Sequence, residues 1–116
     1  MGYYFSKTLK MPFQEAVERT IAALKQHGFG VLTRIDVKYT LKEKIGADFR
    51  PYVILGACNP RIAHHALQAE DKIGTMLLCN VIVQEIDGKS EVAAVDPVAS
   101  IATIHNEVLE GVAAKV

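Results

Sequence analysis

Hydrophobic and polar positions alternate with a period of two over Tyr3–Leu9. Tyr3, Phe5 and Leu9 share one face, with Lys7 the exception among them, and Ser6 and Thr8 share the other, the pattern of a half-buried strand. The period then lengthens. Pro12 suits the first position of a helix, and Phe13, Val17, Ile21 and Leu24 follow at spacings that line up one apolar stripe. Gly28 supplies a left-handed cap, with Phe29 folding back on Leu24 as in a Schellman motif. Alternation returns over Val31–Val37, which places Val31, Thr33, Ile35 and Val37 on one face. Thr40 and Glu43 then frame a capping box, and Gly46 closes the helix after a turn or two.

Two later segments abandon alternation. Tyr52–Cys58 and Met76–Val83 are apolar on both faces, which predicts central strands with something covering each side. Between them, Asn59 is an N-cap and Pro60 a first helical residue, and Ile62, Ala63, Ala66 and Leu67 give a narrow apolar face. Gly74 marks the return to strand, and Asp87-Gly88 predicts a tight turn joining Val83–Glu85 to Glu91–Val95. Asp96-Pro97 repeats the cap-plus-proline device. It opens a last helix whose stripe is Val98, Ile101, Ile104, His105, Val108, Val112 and Val116.

Five strands and two long helices make an α+β two-layer sandwich, one domain over residues 1–116, with the helices on one face of the sheet. The other face is lined by alternate residues of the two apolar strands. It must meet a second subunit or a ligand, and the expected assembly is a homodimer.

Composition narrows the function classes. Lys plus Arg equals Asp plus Glu, 13 each, so no bulk field steers the chain to nucleic acid or to an acidic membrane. No apolar run approaches the ~18 residues that span a bilayer, and the first residues lack the basic and apolar regions of a secretory signal. The expected location is the cytoplasm, with both cysteines reduced. The basic residues Lys38, Lys42, Lys44 and Arg50 are interleaved with Asp36, Glu43 and Asp48, and read as a charge-balanced surface.

The chemistry gathers at the ends of the apolar strands. Cys58 directly precedes the Asn59-Pro60 helix start, where unpaired N–H groups and the helix dipole favour a thiolate and lower the thiol pKa. Cys79 sits mid-strand between Leu78 and Asn80, and pairing register decides whether it meets Cys58. Asn80, a polar residue in an apolar strand, is expected to bond the turn at Cys58-Asn59-Pro60.

Cys58, Asn59, Pro60, Cys79 and Asn80 are therefore the candidate site for a small molecule. Cys58, Cys79 and His105 are candidate metal ligands by donor type alone. A thiol-dependent enzyme with Cys58 as nucleophile and Asn80 as orienter is the alternative, and two purely structural thiols are the second. His64 and His65 project about 100° apart on a helix and read as surface residues, and His27 as a C-terminal dipole contact. No phosphate loop, nucleophile elbow or zinc-protease motif is present, and no cofactor is indicated.

The run from Tyr52 through Ile54-Leu55-Gly56-Ala57-Cys58-Asn59-Pro60 continues to Ile73-Gly74 and Leu77-Leu78-Cys79-Asn80-Val81. With Gly28-Phe29-Gly30 and Asp96-Pro97, it resembles the domain-of-unknown-function 302 family over nearly the whole chain. The resemblance implies a curved antiparallel sheet with helices on one side, like that of the TATA-binding-protein group, and often a dimer. It implies neither DNA binding nor an activity. The family pattern has a proline before the second cysteine where this chain has Leu78, and that departure predicts a more regular strand at Cys79.

Overall fold

Local signals set most of the element ends. In the computed structural model, which describes residues 2–98, the first strand β1 spans Tyr4–Leu9 and the first helix α1 spans Phe13–Gln26. Pro12 is the residue before the helix rather than its first member. The exit follows the predicted Schellman geometry: Phe29 N–H donates to Leu24 O at 2.8 Å, and Gly28 N–H to Lys25 O at 3.1 Å. Gly28 takes φ +85°, as that cap requires.

Strand β2 runs Gly30–Asp36, and the helix after it, α2, runs Val37–Ile45. The capping box at Thr40 is not used. Asp36 Oδ1 accepts from Tyr39 N–H at 2.9 Å, so the helix starts four residues earlier and Val37 belongs to it rather than to the strand. Two sound caps competed, and the carboxylate at the strand end prevailed. Lys42 pairs with Asp48 at 3.1 Å in solvent, part of the expected charge-balanced surface.

Strand β3 spans Tyr52–Cys58 and helix α3 spans Pro60–Ala69. A 3-10 helix, Asp71–Met76, fills the region where strand was expected to resume, and Gly74 lies inside it. Strand β4 therefore spans Cys79–Ile86, with Cys79 as its first residue and not its middle. A two-residue turn, with Asp87 at φ 52° and Gly88 at φ 75°, leads into β5, Lys89–Val95. At the end of β5, Asp96 Oδ1 accepts from Val98 N–H at 3.0 Å. Beyond Val98 the predicted helix, His105 included, lies outside the described residues.

All neighbours in the sheet are antiparallel, in the order β1-β5-β4-β3-β2. The architecture is the α+β sandwich expected of the pattern. Ala16 and Val17 of α1 pack on Val53, Leu55, Val81 and Val83, all nearly or fully sealed. These strand residues lie opposite one another in the register (Val53↔Val83, Leu55↔Val81), so they share the helix-covered face. A smaller cluster joins Ala66 of α3 to Ile73 of the 3-10 helix. Ser90, a buried hydroxyl that the pattern did not single out, donates to Met11 O at 2.9 Å.

Two strands depart from the predicted facing. β1 is an edge strand in which only Leu9 is shielded, and Phe5 is 65% exposed. In β2 the register steps from Val31↔Ala57 to Thr33↔Gly56, leaving Leu32 as an extra, exposed residue. This bulge inverts the alternation. Val31 faces α1 but Thr33 and Ile35 face away, while Arg34 reaches Glu18 of α1 at 3.6 Å.

Candidate functional site

The excursion between β3 and β4 builds a cavity of about 380 Å³ at one end of the sheet. Cys58 closes β3, Cys79 opens β4, and both thiols line this space. Ile62, Ala63 and Ala66 of α3 form one wall, and Leu77 and Leu78 another. Asn80 and Val95 carry the lining to the far side of the sheet. Among the described residues, no charged side chain lines the cavity.

The register resolves what spacing could not. Ala57 stands opposite Cys79, so the two cysteines are diagonal neighbours across adjacent strands. Both are free thiols. They lie near enough that negative charge on Cys58 opposes ionisation of Cys79. Burial pushes both thiols above their ordinary pKa, and for Cys79 the neighbouring sulfur adds to the effect.

That direction corrects the expectation of an activated thiolate at Cys58, and the hydrogen bonds supply the reason. Pro60 has no N–H to offer. Asn59 Oδ1 accepts from Arg61 N–H at 3.1 Å and from Ile62 N–H at 3.2 Å, and Asn59 O accepts from Ala63 N–H at 2.8 Å. The donors that would stabilise a thiolate at the start of α3 are already taken. Cys58 itself is 8% exposed, so desolvation dominates.

Asn59 is thus a fastener. Besides capping α3, its Nδ2 would lie 3.2 Å from a Cβ built on Gly28, so the start of α3 abuts the end of α1. Pro60 is exposed at the helix start and is not part of the cavity lining. Asn80 is exposed rather than buried. Among the described residues its amide makes no hydrogen bond, so the expected bond to the Cys58-Asn59-Pro60 turn is not formed. Leu78 precedes β4 in a bend. A proline there would remove no ladder hydrogen bond, so the substitution does not regularise the strand.

Of the candidate metal ligands, Cys58 and Cys79 share the cavity and His105 lies outside the described residues. Among the described residues, no group of three or more His, Cys, Asp or Glu is placed to hold a metal ion. His64 and His65 are exposed on α3, as their spacing predicted. Phe29 and Val95 were missed as lining residues. The Gly28 cap directs Phe29, but its destination depends on how α1 and α3 meet.

Residues 5–116 match the family described as domain of unknown function DUF302. Among solved structures, the chain is similar to an uncharacterized conserved protein DUF302 from Bacillus stearothermophilus. The TM-score is 0.90 at 31% identity, covering 99% of this chain and 90% of that one. No curated protein matches the chain. Among the described residues, no helix is long and apolar enough to cross a membrane.

Proposed function

The chain belongs to the DUF302 family, and we propose that it is a homodimeric binding module taking a small, uncharged, largely apolar ligand at the cysteine end of its sheet. The observation that carries this reading is the cavity itself. Its volume falls in the range of small-molecule sites, and two thiols held protonated by burial line it with no described charged group beside them. A charged ligand entering there would lose its hydration without gaining a counter-charge. The exposed Asn80 amide at the rim is free to bond one polar group of the ligand. The free thiols fit a reducing compartment such as the cytoplasm.

The thiol-enzyme reading has less support from the same site. A nucleophilic cysteine needs an accessible thiolate, and here burial favours the thiol while Asn59 occupies the nearest donors. The dimer reading draws on the sheet face turned away from α1. Ile54 and Ile82, which stand opposite each other there, are only half-buried.

Ligand-observed NMR with matched neutral and anionic fragments tests the binding reading. Neutral fragments are expected to bind, and Ala63→Leu, which fills the cavity from α3, is expected to abolish that binding while the fold persists. Equal binding of carboxylates, or binding indifferent to Ala63→Leu, would sink it.

A further inference from the structure

We infer that a second copy of this chain, seated on the open sheet face, closes the mouth of the thiol cavity, so that access to Cys58 and Cys79 depends on dimerisation. The inference rests on the homodimer reading and adds what the dimer does to the site.

Its first support is the path of the cavity wall. Cys79 lies opposite Ala57, and by alternation it shares the α1 side of the sheet with Val81 and Val83. Asn80 lies opposite Gly56 and shares the other side with Ile82. Val95, paired with Tyr4, lies on that same side as Ala93. A cavity lined by Cys79, Asn80 and Val95 therefore wraps around the strand ends and reaches the open face. Whatever covers that face also covers this rim.

The second support is the character of the face. Ile35, Ile54 and Ile82 run across its middle, and Ile35 is 45% exposed. Thr8, Ser6 and Thr33 flank them as small polar residues. The charges at the end away from the cavity are matched within the chain. Arg50 Nε donates to Gln84 Oε1 at 2.8 Å, and Gln84 Nε2 donates to Glu91 Oε1 at 2.8 Å. A two-fold interface brings a surface onto its own copy, so it must be self-complementary. An apolar centre with internally balanced charges meets that requirement.

Size is the third. Five strands about 4.8 Å apart and six or so residues long give a face of roughly 24 by 20 Å. Two such faces bury on the order of 1,000 Å², the lower bound for a specific interface. The exposed Asn80 amide then stands at the seam, positioned to bond the partner backbone or the ligand.

The test uses the neutral disulfide 4,4′-dithiodipyridine. A protein thiol attacks one of its sulfurs, forms a mixed disulfide, loses its proton and releases one thiopyridone that is read by absorbance. Rates are measured from dilute to concentrated protein, alongside sedimentation velocity, with Cys58→Ala and Cys79→Ala assigning each phase. Ile82→Glu supplies the monomer limit, with circular dichroism as a check on its fold.

The expected result is a wild-type dimer whose thiols react about tenfold or more slowly than those of the monomer, because they are reached only through opening of the interface. A folded Ile82→Glu variant is expected to react at the monomer rate at every concentration. A dimer whose thiols react at that same rate would overturn the inference and leave the homodimer standing. A wild-type chain that sediments as a monomer throughout would remove both. The wild-type concentration series stands alone should Ile82→Glu not fold.

Discussion

Within β3, Val53 and Leu55 lie sealed beneath α1 at 3% and 0% exposure, while their alternates Tyr52 and Ile54 remain half-buried. Strand β4 repeats the contrast, with Val81 and Val83 inside and Ile82 half-buried. Residue type does not separate the two sets, since all but Tyr52 are aliphatic. The difference is cover: α1 supplies Ala16 and Val17 to one face, and among the described residues the other face holds no such cluster. A strand that is apolar on both sides is thus equipped for two partners, of which the chain's own α1 provides one.

The contrast can be broken most directly at adjacent residues. Leu55→Ala is expected to cost about 2–5 kcal/mol, the usual range for a sealed core leucine. Ile54→Ala should cost less than about 1.5 kcal/mol in dilute solution, because much of its surface already meets water. Urea unfolding of both variants checks this, and equal costs would mean that the faces are equally sealed.

A second substitution sharpens the picture of the open face. A Cβ added at Gly56 would collide with Thr33 Oγ1 and meet Leu78 Cδ1 at 3.0 Å. Gly56→Ala is therefore expected to destabilise by about 1–3 kcal/mol through overpacking. Thr33→Ala in the same chain should recover most of that loss, and an absence of recovery would place the strain elsewhere.

The smallest effect concerns the thiols where the two faces meet. Burial raises both in the folded chain, so the unfolded chain releases these protons first as pH rises. Their contribution is full below the ordinary thiol pKa of about 8.5 and declines as pH climbs toward the raised folded values. Between about pH 7 and about pH 9.5 the wild type should lose more stability than the Cys58→Ala/Cys79→Ala variant. A steeper loss in the variant would reverse the assigned direction.

Features written in a few adjacent residues were legible from the sequence. The Gly28 cap, the Asn59-Pro60 start and the Asp87-Gly88 turn each depend on local backbone preference and formed as expected. Competition between two valid signals was not legible, and so α2 begins after Asp36 instead of Thr40. Nor was the late start of β4 at Cys79, because the apolar run from Met76 to Val83 reads as strand throughout when only hydropathy is counted. The candidate site divides along the same line. That Cys58 ends a strand before a helix was visible, whereas its meeting with Cys79 required the Ala57↔Cys79 register. The raised thiol pKa required knowing that Asn59 takes the α3 donors and that Cys58 is buried.

The extra residue in β2 has a bearing on how this chain tolerates changes of length. Deletion of Leu32 would make Val31 and Thr33 consecutive residues of a regular strand, leaving Thr33 and Ile35 turned away from α1 and Arg34 toward Glu18. Gly56 would keep the threonine that lies over it. Single-residue losses are commonly absorbed in loops, but here one inside a strand would be absorbed at the bulge, with inside and outside unchanged over Thr33–Asp36. Leu32, itself 66% exposed, is a residue this strand can lose without losing its phase.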